Sequence, residues 1–205
     1  MLKALALLIM LSLAASGAAY AGQAGAGLED GRYEVAIFAG GCFRCMEPSL
    51  EKLPGVKAVI SGYTDGRTKE PTYENYSEGG HVEVVEVLFD PRAVSYERLL
   101  EVYWRQVNPT DSGGQFGDRG PQYRPAIFYL NDGQKALAEK SRDALAKSGK
   151  FKEPIATEIK RASRFWPAEE YHQDYHKKNP WPYKYYRYGS GRDGFLDRVW
   201  GKGGH

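Results

Sequence analysis

The stretch HVEVVEVLFDPRAVSYERLLEVYWRQVNP, residues 81–109, holds a strand and then a helix, with a clear break between them. From Val82 to Phe89 the residues are mostly β-branched or apolar, and side chains two apart share a face. Val82, Val84, Glu86 and Leu88 lie on one face, and Glu83, Val85, Val87 and Phe89 on the other. Asp90-Pro91 stops the strand, because proline brings no N–H to a ladder. Ser95 then offers a helix cap. Tyr96, Leu99, Leu100, Tyr103 and Val107 recur at helical spacing and make one apolar face, until Asn108-Pro109 ends it.

Upstream, VKAVISGY (residues 56–63) reads as a second strand, closed by the turn Thr64-Asp65-Gly66. The segment CMEPSLEKL before it reads as a helix, and Pro48 sets its regular start near Cys45 or Met46. YEVAIFAG, from Tyr33, is another strand, and Gly40-Gly41 ends it. Downstream, residues 108–122 form a Gly-rich loop and YRPAIFYL a fourth strand. Residues 132–148 suit a surface helix with Gly149 past its end, and IATEIK suits a short fifth strand. The order β-α-β-β-α-β, with a helix and strand added, predicts an α+β fold of the ferredoxin-like split β-α-β type. From about Arg161 the periodicity disappears. Residues 161–205 carry six tyrosines and three tryptophans and are read as a long irregular tail, laid over the domain through its rings.

The first residues set the compartment. Lys3, an apolar run from Ala4 to Ala19 and the small-x-small site Ala19-Tyr20-Ala21 describe a secretory signal peptide over residues 1–21. The protein is therefore expected to be exported, to the periplasm or beyond. An uncleaved N-terminal membrane anchor is the alternative. Residues 22–31 are small and polar and read as a flexible lead-in, leaving residues 32–205 as a single catalytic domain. Removal of residues 1–21 would leave 184 residues with 27 basic and 26 acidic side chains. That balance gives no reason to expect nucleic acid as a partner. The chain is expected to act as a monomer.

Its two cysteines, Cys42 and Cys45, stand together in FAGGCFRCME. One bridge across so short a loop would stabilise little, so the pair points to redox chemistry rather than stapling. A cysteine at a strand-to-helix junction meets unpaired N–H groups and the positive end of the helix dipole, which favour thiolate. Arg44 would add to that. Cys45 lies one turn on, at about the Cα separation a disulfide needs. The expected chemistry is attack by Cys42 and resolution by Cys45. Three other readings stand beside it: a buried inert pair, a permanent disulfide, and a zinc site shared with His172 and His176. The 126 residues between Cys45 and His172 disfavour the zinc site, against about 12–15 in compact fingers. Glu83 sits on an apolar strand face. It is either a desolvated carboxyl that keeps its proton near neutrality or the mark of an exposed strand end.

The motifs GGCFRCMEPSLEKLPGV, SGYTDG, PTYENY, GGHVEVVEVLFDP, GDRGPQYRPAIFYL and FWPAEEYHQDY occur in this order. Together they resemble the A-type peptide methionine sulfoxide reductases, from about Tyr33 to Tyr175. The resemblance implies repair of oxidised proteins by reduction of methionine S-sulfoxide, with no bound cofactor and no metal. Cys42 would attack the sulfoxide sulfur, Glu83 would protonate its oxygen, and Tyr73 and Tyr123 would hydrogen-bond that oxygen. Asp118 would fix the substrate or its water, and Phe43 would seat the methyl group. Cys42 would become a sulfenic acid, Cys45 would condense with it, and a thioredoxin-like dithiol would reset the pair. The family usually reads Cys-Phe-Trp, whereas this chain has Arg44 at the third position. That exchange removes one aromatic wall, which either the apolar stem of Arg44 or Trp166 would have to cover, and weaker substrate binding is expected. The rivals are a general thiol–disulfide oxidoreductase and a non-catalytic metal- or peptide-binding module.

Overall fold

The computed structural model describes residues 31–203. The proposed signal segment, and the lead-in up to residue 30, lie outside the described residues. By its contacts the chain divides at Glu34, and the fold and site below belong to the unit Val35–His205.

One sheet is built from β1 (Glu34–Ala39), β2 (Val56–Thr64), β3 (Val82–Phe89), β6 (Ala126–Tyr129), β7 (Glu158–Arg161) and β8 (Trp166–Pro167). The strands lie in the order β7-β6-β1-β3-β2-β8. The four strands read from sequence thus occupy the middle in the order fourth, first, third, second. The later β7 and β8 extend the two edges, β7 parallel to β6 and β8 antiparallel to β2. A separate two-stranded hairpin, β4 (Gly114–Gln115) with β5 (Asp118–Arg119), sits in the Gly-rich loop. Helices α1 (Phe43–Glu51), α2 (Tyr96–Trp104) and α3 (Asp132–Lys147) complete the part of the chain that precedes the tail.

Both faces of the central strands are buried, which is why β3 reads as a nearly continuous apolar run. On one face Phe38, Val85, Val87 and Phe89 pack with Leu50 of α1 and Leu99, Leu100 and Tyr103 of α2. On the other, Ile37, Val82, Val84 and Phe128 form a smaller cluster. Burying each such large apolar side chain contributes about 1.5–3 kcal/mol. The helical face of α2 is the one its spacing predicts, and Ser95 caps it by accepting the Arg98 N–H. Tyr103 stacks on Phe38 and donates its hydroxyl to the Ala39 carbonyl at 3.0 Å, so it satisfies its polar end at the end of β1.

Two expectations need correction. Helix α1 begins at Phe43, two or three residues earlier than Pro48 suggested. Cys42 is its N-cap, and the Cys45 N–H already reaches the Cys42 carbonyl at 3.0 Å. Pro48 lies inside the helix and withholds only the N–H that would have met the Arg44 carbonyl. The turn into α1 needs its glycines. A Cβ on Gly40 would lie 2.5 Å from Met46 Sδ, and Gly41 has φ +79° with Gln115 Cβ 2.6 Å from a would-be Cβ.

The tail is not irregular. It forms α4 (Tyr175–Lys178), α5 (Pro180–Gly189) and α6 (Arg192–Trp200). Pro180 and Pro182 fall in the first turn of α5, where a missing N–H costs nothing. Nor do the rings alone attach it: Trp181, Tyr185 and Tyr188 are 78%, 84% and 82% exposed. The anchors are arginines. Arg192 is fully buried and donates to the Gly40 carbonyl at 2.9 Å and the Gln106 carbonyl at 2.5 Å, with its guanidinium over the Phe116 ring. Arg187 donates to the Cys45 carbonyl at 3.0 Å and to Gln106 Oε1 at 3.1 Å. Aromatic composition suggested an apolar attachment, whereas the buried carbonyls of Gly40, Cys45 and Gln106 call for donors.

Replacing Arg192 by methionine keeps the volume and leaves two buried carbonyls without their donor. The expected cost is about 2–4 kcal/mol, seen as a lower urea midpoint. An unchanged midpoint would show that Arg192 does not hold the tail.

Candidate active site

The site forms where β1 passes into α1. Cys42 is half-buried at the turn, and Cys45 is fully buried one turn into the helix. Both are free thiols. Glu83, the second residue of β3, is 2% exposed and projects from the main core face, so it is the desolvated carboxyl and not the exposed strand end. Its Oε2 accepts the Phe43 N–H at 3.0 Å, and its Oε1 accepts the Tyr76 hydroxyl at 2.8 Å. The first N–H of α1 is therefore aimed at a carboxylate, as helix N-termini favour.

A pocket of about 190 Å³ opens here, and Cys42, Phe43, Arg44 and Glu83 share it with Tyr73, Asp118 and Tyr123. Its remaining wall comes from the tail: Tyr175, Pro182, Tyr183 and Tyr186. All seven residues singled out from sequence thus fall in or beside one place, with Cys45 directly behind Cys42. Tyr123 is held by its neighbour Arg124, which pairs with Asp65 of the second-strand turn at 2.5 Å. Tyr73 stacks on Tyr76, and its N–H is accepted by Glu169, whose other oxygen takes the Tyr63 hydroxyl. Asp118, on the small hairpin, accepts the Tyr186 hydroxyl of α5.

Burial raises the Glu83 carboxyl from 4.5 to about 7, against the opposing pull of the Phe43 N–H and the Tyr76 hydroxyl. Asp118 pushes it further up, and Arg44 pulls it down. Burial and the Glu83 charge lift the phenol of Tyr73, and that of Tyr123 to about 12, so both remain hydrogen-bond donors.

The thiol pair departs from expectation. Cys42 is raised, first by its hydrogen bond with Cys45, then by burial and by the charges of Glu83 and Asp118. Cys45 is lowered by the same bond and by Arg192 and Arg187. Of the two, Cys45 is thus the easier thiol to ionise and Cys42 the one that holds its proton more tightly. The helix-dipole argument fails because the bond to Cys45 and burial hold the proton on Cys42, the nearest N–H is taken by Glu83, and the charges of Glu83 and Asp118 add to this.

Arg44 also differs from its expected place. Its Nε donates to His172 Nδ1 at 3.0 Å, and its guanidinium lies 4.0 Å from the Tyr175 ring centroid. It is turned along the pocket wall, toward His172 and Tyr175. Trp166 does not line the pocket. It belongs to β8, with Arg164 over its ring at 4.0 Å. Among the described residues no group of three or more His, Cys, Asp or Glu side chains could hold a metal ion, and His172 Nδ1 is taken by Arg44. Sequence reasoning missed Tyr76, Glu169 and the tail wall, and it weighed His172 only as a zinc ligand, not as the partner of Arg44. Tyr76 had a signal, as the second tyrosine of PTYENY; α5 had none.

A sulfur pair, a protonatable carboxyl and phenolic donors around a small cavity define a thiol-dependent reductase. The peptide methionine sulfoxide reductase pattern matches residues 34–203, and the chain belongs to that family. Peptide methionine sulfoxide reductase MsrA of Bacillus licheniformis is 58% identical over 171 residues, covering 82% of this chain and 94% of that one. The protein of the same name from Bacillus subtilis is 54% identical over 170 residues, 82% and 96% of the two chains. Among solved structures, reduced Mxr1 of Saccharomyces cerevisiae superposes with a TM-score of 0.69 at 28% identity, over 74% of this chain and 88% of that one. Methionine sulfoxide reductase A of Corynebacterium diphtheriae does so at 0.62 and 30% identity, over 73% and 76%. The protein reduces methionine sulfoxide.

If Glu83 supplies the proton, the rate should fall as pH rises through about 7, where the buried carboxyl ionises. Glu83→Gln should remove that limb and lower the neutral rate by about 10²–10⁴-fold. A pH–rate profile of the two proteins checks both. The same shift carries a stability cost: the unfolded carboxyl ionises at 4.5, so the contribution of Glu83 to stability falls between pH 4.5 and about 7.

Proposed function

We propose that Cys42 is the nucleophile and Glu83 the acid in reduction of the S epimer of methionine sulfoxide. The observation that carries this reading is Glu83 itself. It is a buried carboxyl with a raised pKa, held by the Phe43 N–H and the Tyr76 hydroxyl in the pocket that Cys42 lines. Neutral Glu83 donates to the sulfoxide oxygen while Tyr73 and Tyr123 hydrogen-bond it, and Phe43 seats the methyl. Protonation of Glu83 also removes one of the charges that raise Cys42, so the acid form of the carboxyl and the thiolate form of Cys42 favour each other. Cys42 yields its proton across its hydrogen bond to Cys45 and attacks the substrate sulfur. Methionine leaves, its sulfur reduced, and the oxygen remains on Cys42 as a sulfenic acid. The Cys45 thiol displaces that hydroxyl as water, forming the Cys42–Cys45 disulfide. An external thioredoxin-like dithiol then reduces it.

The same proposal covers the setting. The apolar start of the chain marks it for export, and its substrates are oxidised methionines of exported proteins, with free methionine sulfoxide a further candidate. Cys45 is the one internal thiol available for resolution, since the sequence holds two cysteines in all.

Two experiments test this. Cys42→Ser should abolish turnover, whereas Cys45→Ser should release about one methionine per enzyme and then stall with a thioredoxin-type donor. A sulfenic acid trapped on Cys42 in that variant, found by mass spectrometry, is the expected intermediate. Continued cycling would show that Cys45 is not the resolving thiol. With separated sulfoxide epimers the S form should be consumed and the R form left; loss of the R form would overturn the epimer assignment.

A further inference from the structure

Arg44 lines the same pocket as Cys42 and Glu83, half-buried, and it is fixed in place from two sides. Its plane lies 4.0 Å from the Tyr175 ring centroid, with the Tyr73 ring at 6.0 Å. Its Nε donates to His172 Nδ1 at 3.0 Å, and one terminal nitrogen lies 2.5 Å from the same atom. His172 is buried and packed by Phe43, Tyr73 and Tyr171 at 4.9, 4.5 and 4.2 Å between centroids. Burial, with Arg44 adding to it, holds its pKa down at about 4, so the acceptor is a neutral ring and no counter-charge. Among the described residues no carboxylate comes within ion-pair distance of Arg44. Glu169 is engaged by Tyr63 and Tyr73, and Asp118 by Tyr186. A guanidinium has five N–H donors, and two converge here on a single nitrogen, so the outer ones are left over. The wall of the pocket therefore carries an oriented cation without an anion.

We propose that Arg44 is a specificity-determining residue that favours methionine sulfoxide carrying a carboxylate close to the sulfoxide side chain. This rests on the reading that the pocket receives the sulfoxide. Planar, preoriented guanidinium is suited to a carboxylate, and a partly desolvated one more so. The charge of Asp118, which opposes a thiolate at Cys42, equally directs an incoming carboxylate away from that sulfur and onto the Arg44 wall. The carboxylate has two sources: the side chain of an aspartate or glutamate beside the oxidised methionine, or the α-carboxylate of a C-terminal or free methionine sulfoxide.

The test compares kcat/KM, with a small dithiol as reductant, for two matched pairs. One pair is a blocked peptide with glutamate or with glutamine next to methionine S-sulfoxide. The other is N-acetylmethionine S-sulfoxide or its amide. The native enzyme should prefer the carboxylate member of at least one pair by about three- to tenfold at low salt, and the ratio should shrink toward one at high salt. In Arg44→Gln the ratio should be near one, and in Arg44→Lys it should be partly restored. A preference in only one pair supports the proposal and identifies the source. A native ratio of one in both pairs, or a preference that survives Arg44→Gln, overturns it while turnover of the neutral substrates leaves the reductase reading standing. No turnover of any substrate would overturn that reading, and this proposal with it.

Discussion

A carboxyl group without water is the constraint on which this molecule turns. Glu83 sits on the core face of β3, and ionised it would lack solvation there. Two donors meet it, the Phe43 N–H and the Tyr76 hydroxyl. The first ties the third strand to the first turn of α1, and so fixes where Cys42 stands. The second ties it to the PTYENY segment and, through Tyr76, to Tyr123 at 3.3 Å. The donors are enough to hold the side chain but not to offset its burial, so the proton affinity stays near neutrality. Positioning and acidity are thus produced by the same contacts.

The tail completes the site by an unlike means. The main-chain carbonyls of Gly40, Cys45 and Gln106 are met by two arginines from α5 and α6. Arg192 carries its charge into the interior with carbonyl oxygens and an aromatic ring about it. Arg187 reaches the Cys45 carbonyl, and the field of the two arginines adds to the Cys42 hydrogen bond in making Cys45 the easier thiol to ionise. The segment that walls the pocket therefore also sets the charge of the sulfur behind it. Cys42 and Cys45 thus sit between two carboxylates on one side and two guanidinium groups on the other.

Much of this could be read before any coordinates. The period-two pattern of residues 82–89 and the helical spacing of Tyr96, Leu99, Leu100 and Tyr103 are local signals of burial, and both hold. Glu83 was conspicuous because a charge broke an apolar face. The reading failed where a long-range partner decides the outcome. Pro48 misplaced the start of α1, because the first turn is stabilised by Glu83, forty residues away. The helices of the tail were invisible because their inward-facing anchors are arginines, which a hydrophobic-periodicity reading counts as surface. The thiol order was reversed by the bond between the two sulfurs and by burial, to which charges on β3 and β5 add at Cys42.

The span between Cys45 and Arg187 is 142 residues. A polypeptide leaving the ribosome presents its two sulfurs early and their enclosure last. Until residues 175–192 have been made and folded back, the half-built chain holds an unsheltered dithiol with no arginines behind it. Biogenesis is thus the interval in which this enzyme is most open to mispairing with other thiols, and a chaperone or prompt folding would serve it most there.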